Sequence, residues 1–362
     1  MGMLAKWLAK RRGTELPFVV ADTVKILWPD ETPTLIRQSK TDTGYEFVYV
    51  MPRNLSFDDF MRKEGNFRAA TGCKIAFDIN GKALTMQVFE SELPKEIDYK
   101  WNPSDYQKMH LPIPLGISLD GVYVVDLAEL PHMFLSGPTG TGKSMITRSI
   151  ATSLQLGSSE KMFMVVVDYG EVDYLWLENH ALLVTDQEKA LQVFQLLNKE
   201  MDRRKKLLVK YRVEKVTKLP EPIPFIVVLI DEFVEIKDDE KSIKLVDRLC
   251  RVGRKTGIHI VAATQRLSHT AVKGAGDIKH NFPARLSFRC DAVNSRMILG
   301  DDCDMASKLP NVKGRAIFRN GEPIELQTFR IDPQLAGKLV NQLPYQQEVF
   351  NVEQSPIMLP PR

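Results

Sequence analysis

The run Gly137-Pro138-Thr139-Gly140-Thr141-Gly142-Lys143-Ser144 has the composition and spacing of a loop that holds phosphate. Its glycines let successive backbone N–H groups turn into one concavity. The residues that follow, Met145 to Leu154, read as a helix whose positive dipole end faces the same space. At this spacing Lys143 reaches the β- and γ-phosphates of ATP and the Ser144 hydroxyl reaches Mg²⁺, so Gly137 to Met145 are the candidate nucleotide contacts. The other half of such a site is a carboxylate at the end of an apolar strand. Asp231 follows Phe225-Ile226-Val227-Val228-Leu229-Ile230 and is expected to meet the metal shell from the strand next to the loop. Glu232, one residue on, is suited to orient or deprotonate an attacking water. Gln265 ends the run Ile258-His259-Ile260-Val261-Ala262-Ala263-Thr264, where its amide can bond both a γ-phosphate and that water. Each residue also has a plainer meaning: a glycine turn, a solvated strand end, a helix cap. All of them in one chain favour ATP hydrolysis.

These groups need elements to carry them. Met133-Phe134-Leu135 leads into the loop, and Met162-Phe163-Met164-Val165-Val166-Val167-Asp168 is a continuous apolar run of the kind found in buried parallel strands. A short strand at Leu182-Leu183-Val184 precedes Asp186, which can cap a long helix carrying Ala190, Phe194, Leu197, Met201 and Leu208 at helical spacing. Strands alternating with helices predict an α/β fold: a parallel sheet covered on both faces, with its ligand at the carboxyl ends of the strands. Asp168, Asp231, Glu232 and Gln265 all fall there.

Before this region, Leu16 to Tyr99 predicts a small α+β domain of strands around one helix. Ser56 and Asp59 form a capping box for that helix, Gly72 ends it, and Asn80-Gly81 is a two-residue hairpin turn pairing Phe77 with Leu84 and Ile75 with Met86. Lys100 to Pro114, with three prolines, reads as a linker. The divisions expected are a basic segment 1–15, the small α+β domain 16–110, the larger α/β domain 111–345 and an extended tail 346–362. Over 362 residues the composition is that of an ordinary globular protein, 26% charged and 44% hydrophobic, with a net charge of only +3. Any nucleic-acid surface must therefore be local. Four scattered cysteines read as reduced, and no run is long enough for a membrane span. Lys199 to Lys218 holds nine Lys or Arg against three Asp or Glu, a solvated helix face first and a DNA contact second.

On these residues the chain resembles the motor region of the FtsK/SpoIIIE family of DNA translocases. The matching stretches are Asp126 to His132, the phosphate loop, Glu200-Met201-Asp202-Arg203-Arg204, Val228 to Phe233, Gly257 to Ile260 and Ala263 to Arg266, then Ile278 to Arg285 and Asn294 to Leu299. The resemblance implies a RecA-like P-loop NTPase domain using ATP and Mg²⁺, a homo-hexameric ring, and double-stranded DNA passing through its pore. It implies an arginine given to the neighbouring subunit's ATP, with Arg296 and Arg285 both at matching positions. Arg266 to Asn281 then reads as a basic loop gripping DNA phosphates through Lys273 and Lys279. Where the family carries a basic residue soon after Asp168, this chain has Tyr169-Gly170-Glu171. A single motor with no membrane span of its own, and with no room after Ile331 for a DNA-orienting winged-helix domain, suggests the motor or coupling protein of a conjugative or other mobile element. Such a protein would be cytoplasmic and held near the membrane by a membrane or relaxosome docking protein. The alternative from another class is a type VII secretion-like ATPase that moves protein.

Overall fold

A computed structural model of the chain describes residues 16–41, 44–81, 83–89, 93–130, 132–158, 162–170, 172–237, 239–265 and 282–344. It divides into two compact units, Met1–Leu93 and Pro94–Arg362. The division thus falls at Leu93/Pro94 rather than at residue 110.

The small unit is a four-stranded antiparallel sheet in the order β1-β2-β4-β3, from β1 (Thr34–Thr41), β2 (Gly44–Val50), β3 (Lys74–Asn80) and β4 (Ala83–Phe89). Helices α1 (Leu16–Leu27), α2 (Phe57–Arg62) and α3 (Glu64–Thr71) accompany it, where one helix was expected. The valines and isoleucine of α1 favour extended chain by type. Val20 and Val24, four residues apart, are both buried, and that spacing is helical. The expected helix is real but interrupted at Lys63, which divides it into α2 and α3. Its ends are as read: the Ser56 N–H donates to the Asp59 carboxylate at 2.8 Å, and Gly72 closes it with φ 69°. The hairpin register differs from the expectation. Phe77 lies opposite Met86 and Ile75 opposite Val88, with Asn80 paired to Ala83. A slip of two residues leaves the same side chains on the same face, so alternation alone could not detect it.

The large unit carries a ten-stranded sheet in the order β6-β5-β14-β13-β12-β7-β11-β10-β8-β9. Its strands are β5 (Pro112–Ser118), β6 (Gly121–Asp126), β7 (His132–Ser136), β8 (Met162–Val167), β9 (Leu182–Val184), β10 (Phe225–Ile230), β11 (Ile258–Thr264), β12 (Ala284–Phe288), β13 (Arg315–Arg319) and β14 (Pro323–Thr328). From β12 to β9 every neighbouring pair is parallel; β13, β14, β5 and β6 continue the sheet as an antiparallel wing. The helices are α4 (Lys143–Ser158), α5 (Gln187–Tyr211), α6 (Phe233–Lys237), α7 (Glu240–Val252), α8 (Ala292–Leu299) and α9 (Pro333–Val340).

Strand β10 is apolar throughout because both of its faces are covered. Val227 and Leu229 join Ile146, Ile150 and Leu154 of α4, whereas Ile226, Val228 and Ile230 join Phe194, Leu197 and Met201 of α5 and Leu249 of α7. Each such side chain contributes roughly 1.5–3 kcal/mol of burial. Buried hydroxyls of α4 return to their own backbone, Thr152 to the Arg148 carbonyl and Ser153 to that of Ser149, both at 2.8 Å.

The stretch 100–114 is part of this unit and not a linker. Leu111 and Ile113 are fully buried, and Asp126 accepts the N–H groups of His110 and Leu111 at 2.8 and 2.9 Å. Pro112 and Pro114 are tolerated because β5 meets β14 only at Gly116 and Ile117, leaving no ladder donor missing there. Among the described residues no helix is long and apolar enough to cross a membrane.

Candidate active site

The turn after β7 and the ends of β8, β10 and β11 converge at one edge of the sheet. Gly140 and Gly142 have φ of 85° and 122°, values that favour glycine, and the loop curls between them. A Cβ on Gly142 would lie 3.1 Å from the backbone of Gly314, whose N–H donates to the Thr141 carbonyl at 2.8 Å. The curled loop hands over to α4 at Lys143, so the first-turn N–H groups face the loop's concavity.

Lys143 is buried, and its Nζ lies 3.0 Å from the Asp231 carbonyl oxygen and 3.5 Å from Asp231 Oδ1. Asp231 arrives from β10, which is not the neighbour of β7: β11 lies between them. The expectation of an adjacent strand is corrected in this respect, and the long Lys143 side chain spans the distance. Glu232 accepts two hydrogen bonds at the end of β11, one from the Thr264 hydroxyl and one from the N–H of Gln265, the next residue, at 2.9 Å. The Gln265 side chain in turn accepts from Thr139 of the loop at 2.7 Å. Loop, lysine, aspartate, glutamate and glutamine, read separately in the sequence, are joined by direct bonds.

Negative charge accumulates around the lysine. Burial raises the Asp168 carboxyl above its ordinary value, with Asp231 adding to it, against the N–H of Gly170 that lowers it. Burial likewise raises Glu235, reinforced by Glu232, Asp168 and Asp231. A triphosphate entering among these carboxylates would be repelled unless a cation came with it, so the donor set fits Mg²⁺. Ser144 and Asp231 are the residues that would hold it, and the Lys143–Asp231 pair would open to let phosphate take the ammonium. Among the described residues no cluster of three or more His, Cys, Asp or Glu forms a metal site on protein ligands alone.

The two arginines stand apart from this network. Arg285, on β12, is half-buried and donates to the Ile298 carbonyl at 3.1 Å. Arg296, on α8, is 49% exposed and lies 3.7 Å from Asp304. Lys273 and Lys279 are outside the described residues. Arg204, within the basic run of α5, is fully buried and donates to Glu200 at 2.7 Å and to the Thr256 carbonyl at 2.8 Å. At that position the run is core and not a solvated face, and Arg204 has no route to DNA.

Three participants were not singled out from the sequence. Thr264 holds Glu232; Gly314 supports the loop; Tyr174 donates to Asp231 Oδ1 at 2.9 Å. Thr264 was the most accessible of them, as a polar residue closing a buried strand beside Gln265. Gly314 comes from a distant connection and carries no local signal.

A small cavity beside the loop is lined by Ile97, Met145, Gly314, Gln327 and Phe329 among others, and it adjoins the first turn of α4.

Comparison with known proteins agrees with this geometry. Residues 97–223 and 217–269 match the family model described as the FtsK/SpoIIIE family. The match places an FtsK/SpoIIIE-like region within residues 97–269 of the chain. A relative named DNA translocase FtsK, from Helicobacter pylori strain J99, is 32% identical over 219 residues, covering 54% of this chain and 25% of the relative. One of the same name from Lactococcus lactis is 33% identical over 255 residues, covering 63% and 32%. The chain thus spans about a quarter to a third of the length of these curated relatives. In fold it is similar to the pCW3 conjugation coupling protein TcpA, solved as a monomer with ATPγS. The TM-score is 0.64 at 23% identity, over 89% of this chain and 99% of that one. It is also similar to the cytoplasmic domain of the type VII secretion ATPase EccC of Thermomonospora curvata, with TM-score 0.58 at 25% identity, over 75% and 34%. The domain is a P-loop ATPase domain.

Proposed function

We propose that the chain hydrolyses ATP to move double-stranded DNA, working as a homo-hexameric ring that serves as the motor or coupling protein of a conjugative or other mobile element. The observation that carries this reading is the bonded set Lys143, Asp231, Glu232, Gln265 and Thr139 in an FtsK/SpoIIIE family domain whose relatives are named DNA translocases.

In this reading Gly137 to Met145 hold the triphosphate, and the cavity beside Met145 takes the nucleoside end. Mg²⁺, when bound, supplies charge neutralisation across the β- and γ-phosphates. Lys143 turns from Asp231 to the phosphates. Glu232 accepts a proton from the attacking water, and its two bonds at the end of β11 fix the direction of that carboxylate. Gln265, linked to the loop through Thr139, orients the water against the γ-phosphate. Of the two arginines, Arg296 is the one with an exposed guanidinium and a weak ion pair to give up, so we assign it the role of completing a neighbour's site. Arg285 is tied to its own backbone. Lys273 and Lys279 are assigned to DNA phosphates, and a docking partner would hold the ring near the cytoplasmic face of a membrane.

The test is ATP turnover with and without linear duplex DNA. Stimulation should be independent of DNA sequence and should fall with salt. Replacing both Lys273 and Lys279 with alanine should reduce the log–log salt slope of binding by about 0.9 for each phosphate no longer neutralised, with basal turnover kept. The similarity in fold to EccC supports a second reading, a protein-moving ATPase. That reading requires no response to duplex DNA and stimulation by a partner peptide.

A further inference from the structure

The FtsK/SpoIIIE reading leaves one buried polar group of the site without a role. Tyr174 sits on the turn after β8. Asp168 shapes that turn, its two carboxylate oxygens accepting the N–H groups of Gly170 at 3.0 Å and Asp173 at 3.3 Å. The Tyr174 carbonyl then accepts from the Leu177 N–H at 2.8 Å, and the chain leaves in a single 3₁₀ turn, Leu175–Leu177. The result is a tyrosine pressed inward, 3% exposed, in the same core as Ile146 and Ile150 of α4.

Its hydroxyl meets two elements of the site. It donates to Asp231 Oδ1 at 2.9 Å and lies 2.9 Å from the Thr147 hydroxyl on the first turn of α4. Lys143 Nζ also reaches Oδ1, at 3.5 Å. Among the described residues no hydrogen bond reaches Asp231 Oδ2. One carboxylate oxygen is therefore doubly engaged and the other is not. A buried tyrosine needs a partner for its hydroxyl, and a neutral carbonyl would serve. Here the partner is an ionised carboxylate at the reacting edge of the sheet, and a hydrogen bond to a charged group is the stronger kind.

We propose that Tyr174 is a positioning residue for Asp231, fixing Oδ1 so that Oδ2 is the oxygen offered to the Mg²⁺ shell. When Lys143 turns to the phosphates, the phenol is the group that remains on Oδ1. The proposal rests on the assignment of Asp231 to Mg²⁺. It also gives the turn after β8 a function in a chain that has Tyr169-Gly170-Glu171 where a basic residue was expected.

The test is equilibrium binding of a fluorescent non-hydrolysable ATP analogue to the full chain, first in EDTA and then across a Mg²⁺ titration. Tyr174→Phe removes one oxygen and keeps the ring, so affinity in EDTA should be unchanged. The Mg²⁺ concentration giving half of the affinity gain should rise about ten-fold or more, as expected for loss of a hydrogen bond to a charged group. Asp231→Asn is the reference. If Asp231→Asn shifts the Mg²⁺ midpoint and Tyr174→Phe does not, Tyr174 is only a core residue and the proposal is overturned while the site assignment stands. If neither moves it, the Mg²⁺ assignment of Asp231 falls and the proposal falls with it. A Tyr174→Phe protein that loses affinity equally in EDTA and in Mg²⁺ has a packing defect, which also overturns the role proposed.

Discussion

Glu232 and Lys143 sit in different environments, and their replacements should fail differently. Glu232 is exposed enough to meet water and is held by two donors, the Thr264 hydroxyl and the Gln265 N–H, so Glu232→Gln keeps the shape and removes the proposed base. Nucleotide affinity should be retained while turnover falls roughly 10²–10⁴-fold, the usual contribution of a positioned proton acceptor. Lys143→Ala removes the ammonium itself and leaves the buried Asp231 without its cation, so affinity should fall before turnover can be measured. Equilibrium binding and single-turnover hydrolysis, measured on both variants, separate the two. Normal hydrolysis by Glu232→Gln would remove Glu232 from the mechanism. Both residues were legible in the sequence because a phosphate loop and a strand-end carboxylate are local patterns. Tyr174 was not, because the bond that gives it meaning reaches across 57 positions to Asp231. The turn that aims it depends on two backbone N–H groups accepted by Asp168.

At the scale of elements, the parallel core was readable, and of the antiparallel wing only β6 was, as the strand-like run Val122 to Leu127. Strands β8, β10 and β11 announce themselves as unbroken apolar runs because helices cover both of their faces. Strands β13 and β14 carry charges within them, as in Arg315–Arg319, where Arg315 bonds Glu325 of the next strand at 2.9 Å, so their pattern resembles loop. The start of α1 was hidden by its β-branched composition, and β5 by its prolines. One element has a pH signature. His132 opens β7, fully buried, and its Nδ1 accepts the Ile260 N–H of β11 at 3.0 Å. Burial, and next His259, lower its pKa from the ordinary 6.5 to about 3. The unfolded chain therefore takes up this proton first as pH falls. The stability contribution is fully present above pH 6.5 and is lost progressively towards pH 3. Between pH 7 and 5 the loss from this site approaches at most ~1.4 kcal/mol per pH unit. Thermal midpoints across that range should fall less steeply for His132→Asn than for the parent; equal slopes would rule His132 out as the source.

At the scale of the whole molecule, a site completed by a neighbour must depend on assembly. Specific ATPase activity should rise with protein concentration in step with mass measured by light scattering. Arg296→Ala should keep nucleotide affinity, lose turnover, and depress the activity of the parent protein when the two are mixed. Activity that is flat while the protein remains a monomer at every concentration would end the ring reading, whatever the fold. The small unit has its own sheet and its own aromatic core around Trp28, Phe60 and Phe67.

The bond from Gly314 to the phosphate loop bears on the timing of nucleotide exchange. Gly314 donates to Thr141, and its own carbonyl accepts the N–H of Thr328 at 2.9 Å and the Thr328 hydroxyl at 3.0 Å, so the antiparallel wing braces the loop from behind. A loop already held in its curled form has little conformational freedom left to surrender when phosphate arrives. Nucleotide arrival is then governed by diffusion into the cleft, and differences in affinity between nucleotides are expressed in how long each one stays. In the proposed motor this would be an asymmetric clock, with capture quick and uniform and departure the interval that sets the pace of each cycle.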